Sequence, residues 1–179
     1  MKKITIDNYH RADESFEIFG TVNFQTGEQN KITESDLIGL IDDIELNEFV
    51  TSDIKEMIEV SKALFAYGYL YWSFLTLAME QAFKAFEAAI THVHREIYGS
   101  NYSSSGNNRL TLSDMISRLA KRRIIDNNKK DVFDAISGLR NMHAHPSFQS
   151  QLGLPSYSVI KDICREINSL FLKLNQSSE

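Results

Sequence analysis

The sequence predicts an all-α protein, with four to five antiparallel helices in an up-and-down bundle over residues 51–179. A less regular N-terminal segment, residues 1–50, precedes the bundle. Three observations carry this prediction. From Thr51 onward, apolar residues recur at three- and four-residue spacing for most of the chain. The polar links between those runs are short. Only two Pro and eight Gly occur among 179 residues of which 42% are hydrophobic, a balance that excludes disordered and collagen-like chains. At about 150 residues per domain the length fits one domain, or one with an appendage, able to bury a core without disulfides. The single cysteine, Cys164, has no second cysteine to pair with.

Within the first fifty residues, Ser15–Gln25 alternates loosely through Phe16, Ile18, Val22 and Phe24, as a short hairpin or an irregular arm would. Thr33 and Asp36 stand at capping-box spacing and open a short helix running to about Glu45. Ile54, Met57, Ile58, Ser61, Leu64 and Phe65 then mark an amphipathic helix. Gly68 either separates it from, or bends it into, a long run from Tyr69 to Tyr98. That run carries Leu75, Ala78, Met79, Ala82, Phe83, Phe86, Ala89, Ile90 and Val93 on one broad face. The Ser/Asn-rich stretch 99–108 reads as an exposed loop. Thr111 or Ser113 caps the next helix, with Leu112, Met115, Ile116 and Leu119. A helix from Lys129 to Met142 turns Val132, Phe133, Ile136 and Leu139 inward. The last, from about Ser156 to Leu174, does so with Val159, Ile163, Ile167, Leu170, Phe171 and Leu174.

The N-terminus, MKKITIDNYHRADE, turns acidic where a signal peptide needs an apolar core. The most apolar window, Ala63 to Ala82, is closely bounded by Lys62, Glu80, Gln81 and Lys84 and contains Gly68, so a buried helix is expected there, not a membrane span. A soluble cytoplasmic protein is the expectation.

The net charge of −5 is unevenly spread. Residues 1–50 hold four basic and eleven acidic groups, leaving the remainder with fifteen basic and thirteen acidic. Between Arg118 and Lys130 there are six cations (Arg118, Lys121, Arg122, Arg123, Lys129 and Lys130) against one acid, Asp126. Local sign governs polyanion binding more than the total does. The run is either a polyanion-binding surface or an ordinary solvated face. The acidic first fifty residues fit a cover over that surface or a docking arm.

Most site signatures are missing from the sequence. It has no Gly-rich phosphate loop and no cysteine pair. His92 and His94 stand two apart on a helix, point to different faces and read as surface or interface histidines. Cys164 lies in an amphipathic helix and reads as a small apolar residue. One segment differs: Leu139-Arg140-Asn141-Met142-His143-Ala144-His145-Pro146. Arg140 falls seven after Phe133 and four after Ile136, so it borders the apolar stripe, where a cation needs a counter-charge or an anion. Pro146 biases its neighbour out of the helical region, which ends the helix near His143 or Ala144. Arg140, Asn141 and His145 therefore gather at one helix end. Arginine offers a fixed fork of donors for phosphate, and histidine a proton donor and acceptor near neutral pH. That trio suits phosphodiester cleavage; the plainer reading is a helix terminus that satisfies backbone carbonyls.

Arg140-Asn141-x-x-x-His145, closing a helix after a basic helix–turn, resembles the R-x(4–6)-H signature of HEPN domains. An upstream long helix with Leu77-Ala-Met-Glu-Gln-Ala-Phe-Lys84 adds to the likeness, which covers about residues 51–175. HEPN domains are helical bundles, frequently homodimeric, and often metal-independent endoribonucleases of bacterial defence and toxin–antitoxin systems. The resemblance implies that Arg140 and His145 of two subunits form one composite cleft. Arg140 would hold the scissile phosphate, and His145 would act as general base or acid in attack by the RNA 2′-hydroxyl. Asn141 would orient His145 or contact phosphate. Arg118, Lys121, Arg122 and Arg123 would guide the RNA, with His143 as a possible accessory. No cofactor is implied. The alternative is a catalytically silent bundle that binds a nucleotide or a protein partner, such as an antitoxin or nucleotidyltransferase.

Overall fold

The computed structural model describes residues 2–22, 24–103, 108–143 and 153–177, and within them the protein is mostly helical. A 3-10 turn at Glu14–Glu17 leads into an antiparallel hairpin of β1 (Gly20–Val22) and β2 (Gln29–Lys31), in register Gly20 with Lys31. Six helices follow: α1 (Glu34–Asp42), α2 (Ser52–Tyr67), α3 (Ser73–Tyr98), α4 (Leu112–Lys121), α5 (Lys130–His143) and α6 (Ser156–Gln176). No helix among the described residues is long and apolar enough to cross a membrane.

The longest helix, α3, is the hub, with α2, α4, α5 and α6 all packed against it. The reason lies in its sequence. Alanines 78, 82, 85 and 89 let neighbouring helices approach, while Leu75, Met79, Phe86 and Ile90 fill the gaps, and all eight are inaccessible to solvent. Phe86 meets Phe133 of α5 with ring centroids 5.4 Å apart. From α6, Ile163, Ile167, Leu170 and Phe171 complete the same core. Val132 is the exception to the expected pattern on α5: it lies on the surface, because only one of two adjacent helical residues can face α3 and Phe133 takes that place.

Gly68 separates α2 from α3. A Cβ there would stand 2.4 Å from Cδ2 of Leu75, so the close turn between the two helices requires glycine. Thr111, not Ser113, caps α4. Its hydroxyl accepts from the Asp114 N–H at 3.2 Å while the Asp114 carboxylate accepts from the Thr111 N–H at 3.1 Å. Thr33 and Asp36 build the same box at the start of α1.

The first fifty residues are built into the same core through Phe16, Leu37, Ile41, Ile44 and Val50. Asp13 joins them to the α2–α3 turn: its Oδ2 accepts from the Trp72 N–H at 3.0 Å, and its own N–H donates to the Tyr69 carbonyl at 2.8 Å. Burial raises the Asp13 pKa, but hydrogen bonds from Ser15 and Trp72, with the charge of Lys2, outweigh it and hold the carboxyl below its ordinary value. Phe16 and Phe19 pack on the Trp72 ring at 5.0 Å each, the latter stacked.

Candidate active site

Helix α5 places the Arg-Asn pair. Phe133, Ile136 and Ser137 face inward, so the helical period carries Arg140 to the edge of the buried stripe, a little over one-third exposed. There Arg140 Nη2 donates to Glu87 Oε2 of α3 at 2.6 Å. Its Nη1 donates to Asn141 Oδ1 at 3.2 Å. The counter-charge that a cation beside an apolar stripe requires is thus Glu87, a residue the sequence reading did not single out. Its signal was present: a carboxylate between Phe83, Phe86 and Ile90 on the longest helix needs a cation.

A guanidinium has five N–H donors, and these two contacts leave others for an oxyanion. Glu87 fixes the plane of the fork; Asn141, exposed, covers one side of it. His143 turns the other way. It is 9% exposed, with its ring centroid 5.9 Å from that of Phe83, against the core. His145 lies outside the described residues, as does Pro146.

The basic run divides into three sets. Lys129 belongs to the architecture: its Nζ lies 3.0 Å from Oε2 of Glu166, a carboxylate 2% exposed that also accepts from Arg165 Nε at 3.1 Å. Lys130 pairs with Asp134 one turn along α5. Arg118 and Arg122, four apart on the α4 end, lay their guanidinium groups over the Tyr98 ring, 5.8 and 5.5 Å from its centroid. The Tyr98 hydroxyl donates to the Arg118 carbonyl at 3.0 Å. Lys121 and Arg123 are exposed, and among the described residues neither has a carboxylate within ion-pair distance. The four expected RNA-guiding residues thus fall into two pairs, Arg118 and Arg122 at the Tyr98 ring and Lys121 and Arg123 exposed.

Two expectations about histidine and cysteine have definite outcomes. His94 is not a surface residue. It is fully buried, stacked on Tyr98 at 4.6 Å, with Nδ1 2.9 Å from Asn101 Oδ1. Cys164 is buried, and burial pushes its thiol pKa up to about 12, so it has no thiolate to offer as a nucleophile at neutral pH.

Compared with known proteins, the chain finds no matching family model, curated protein or solved structure.

Proposed function

We propose that this chain is a metal-independent endoribonuclease of the HEPN type, acting as a symmetric homodimer in a bacterial defence or toxin–antitoxin setting. The observation that carries the reading is Arg140: a partly exposed guanidinium on the last turn of α5, oriented by Glu87 and Asn141 with donors to spare, in the pattern Arg-Asn-x-x-x-His. Helices α2, α4, α5 and α6 gathered on α3 support a HEPN-like bundle.

In this mechanism Arg140 binds the scissile phosphate and stabilises the charge that builds on it in the transition state. His145 takes the proton from the 2′-hydroxyl, or delivers one to the departing 5′-oxygen, with the second subunit's copy in the complementary role. The 2′-oxygen bonds to phosphorus as the bond from phosphorus to the 5′-oxygen breaks, leaving a 2′,3′-cyclic phosphate and a 5′-hydroxyl. Asn141 keeps the fork in place, and the charge of Arg118, Lys121, Arg122 and Arg123 draws RNA to the surface.

One observation favours the alternative, a silent module that binds a nucleotide, an antitoxin or a nucleotidyltransferase: the Glu87 carboxylate already neutralises Arg140. Incubation with structured RNA in EDTA separates the two. Cleavage to cyclic-phosphate ends, lost in Arg140→Ala, Arg140→Lys and His145→Ala while the variants stay folded, supports the ribonuclease. Lysine fails because it keeps the charge and loses the planar fork. Intact RNA, or robust cutting by His145→Ala, overturns it. Light scattering at about twice 20.5 kDa supports the composite site, and a fully active monomer removes it.

A further inference from the structure

Between the end of α4 and the start of α5 lies an open pocket of about 500 Å³, lined by Ser117, Ala120, Lys121, Arg123, Asn127 and Lys130. We propose that it is a binding site for a phosphate monoester or oligophosphate dianion, separate from the Arg140 centre. The inference refines the role given to Lys121 and Arg123 above, yet does not depend on RNA being cut.

Charge sets the ligand class. Three cations line the pocket, and among the described residues only Lys130 has a carboxylate partner, Asp134. The two charges left over match a phosphate dianion better than the single charge of an internal phosphodiester. The neutral liners agree: the Ser117 hydroxyl and the Asn127 amide are hydrogen-bonding groups suited to phosphate oxygens. Among the described residues Ala120 is the sole apolar liner, and these liners offer no flat apolar face for stacking a base. The pocket reads the phosphate and not the nucleobase.

The backbone points the same way. Helix α4 ends in a Schellman motif, in which the Arg123 N–H donates to the Ala120 carbonyl at 2.9 Å and the Ile124 N–H to the Leu119 carbonyl at 3.0 Å. The left-handed residue of such a motif is usually glycine, as Gly99 is after α3 with φ of 71°. Here it is Arg123, with φ of 59°. Arginine holds this conformation at a cost in stability that glycine would not carry. This left-handed residue is one of the three cations that line the pocket. The position is also remote from the first site: Lys130 and Arg140 are ten residues apart on α5, about 15 Å along its axis.

Pyrophosphate is the probe, titrated calorimetrically into the full chain in EDTA, with thermal unfolding measured alongside. Wild type should bind it and melt higher in its presence. Lys121→Gln and Arg123→Gly should each weaken binding at least tenfold. Without ligand, Arg123→Gly should melt higher than wild type by about 1–4 °C, as expected when glycine relieves a left-handed position. Arg95→Gln, on the exposed face of α3, should behave as wild type. No binding by wild type, or full binding by both variants, overturns the proposal.

Two sources of the same chemistry remain to be told apart: a free phosphate compound and the phosphorylated end of RNA. Twelve-nucleotide 2′-O-methyl oligomers, which 2′-hydroxyl attack cannot cut, distinguish them. A tenfold preference for the 5′-phosphorylated oligomer over the 5′-hydroxyl one, lost in Arg123→Gly, assigns the RNA end. Equal binding of the two oligomers beside intact pyrophosphate binding assigns the free compound. Because these probes resist cleavage, failure here is separate from failure of the ribonuclease reading.

Discussion

Arg140 and Glu87 meet at 2.6 Å, joining the last turn of α5 to the middle of α3 through the one arginine of the Arg-Asn-x-x-x-His segment. Both side chains are a little over one-third exposed, so the bond is screened by water and easily exchanged. The same contact orients the guanidinium and competes with any phosphate that approaches it.

Glu87→Gln should therefore cost under about 1 kcal/mol of stability, the range for solvent-accessible ion pairs. RNA affinity at low salt should rise several-fold, because a competing carboxylate is gone and an amide oxygen still holds the fork. Urea unfolding and fluorescence anisotropy measure the two effects. Weaker RNA binding by Glu87→Gln would mean that Glu87 serves only to orient Arg140.

Lys129 should behave quite differently. Its partner Glu166 is 2% exposed and cannot regain water when the ammonium is removed. Lys129→Ala should cost about 2 kcal/mol, less than for an isolated buried pair because Arg165 still reaches the carboxylate. Adding Glu166→Gln to Lys129→Ala should recover part of that loss, which a double-mutant cycle in urea would show. Strict additivity of the two changes would contradict the coupling.

Cys164 supplies a pH dependence. Burial lifts its thiol from 9.0 to about 12, so the folded chain keeps a proton that the unfolded chain releases first. Its contribution is fully present below pH 9 and is lost as pH rises through 9 toward 12. Cys164→Ala should flatten the fall in stability across that window. The native thiol should resist a disulfide reagent at pH 8 and react on unfolding. Rapid labelling of the folded chain would show that the residue is accessible.

The helices from Thr51 onward were legible because their cores are set by local period. Leu75 to Val93 reads as one face in the sequence and packs as one face in the fold. The Thr33–Asp36 capping box was legible for the same reason, since a side chain three residues away closes it; at α4 the spacing left Thr111 and Ser113 open, and the bonds to Asp114 decide for Thr111. The hairpin was legible only as one of two alternatives, since Ser15–Gln25 fits a short hairpin or an irregular arm. Its strands are three residues each, too short for a period-two signal, and the segment beside them is held by Trp72, some fifty residues further on. On α5 the period admitted both Val132 and Phe133, and only packing against Phe86 decides between them.

At the candidate site, Arg140 and Asn141 could be placed on a helix end, and the need for a counter-charge could be stated. Naming Glu87 required the pairing of α3 with α5, which no local spacing encodes. His94 was readable and missed: it stands four after Ile90 and next to Val93, on the buried face. The basic run resisted reading because cations close together in sequence take different partners in the fold. Thus Arg122 lies on Tyr98 while its neighbours Lys121 and Arg123 line a pocket with Lys130.

Three hydrogen bonds join residues 45–47 to Asn168 on α6. The Asn47 N–H donates to Asn168 Oδ1 at 2.8 Å, Asn47 Nδ2 to the Asn168 carbonyl at 3.1 Å, and Asn168 Nδ2 to the Glu45 carbonyl at 2.9 Å. Residues that leave the ribosome early are thereby sealed by residues that leave it late. At about 5–20 residues per second, the 121 residues that separate Asn47 from Asn168 take roughly 6–24 s to synthesise. Closing that contact carries the loop entropy of the whole intervening chain, and folding slows with the sequence distance that the closure must span.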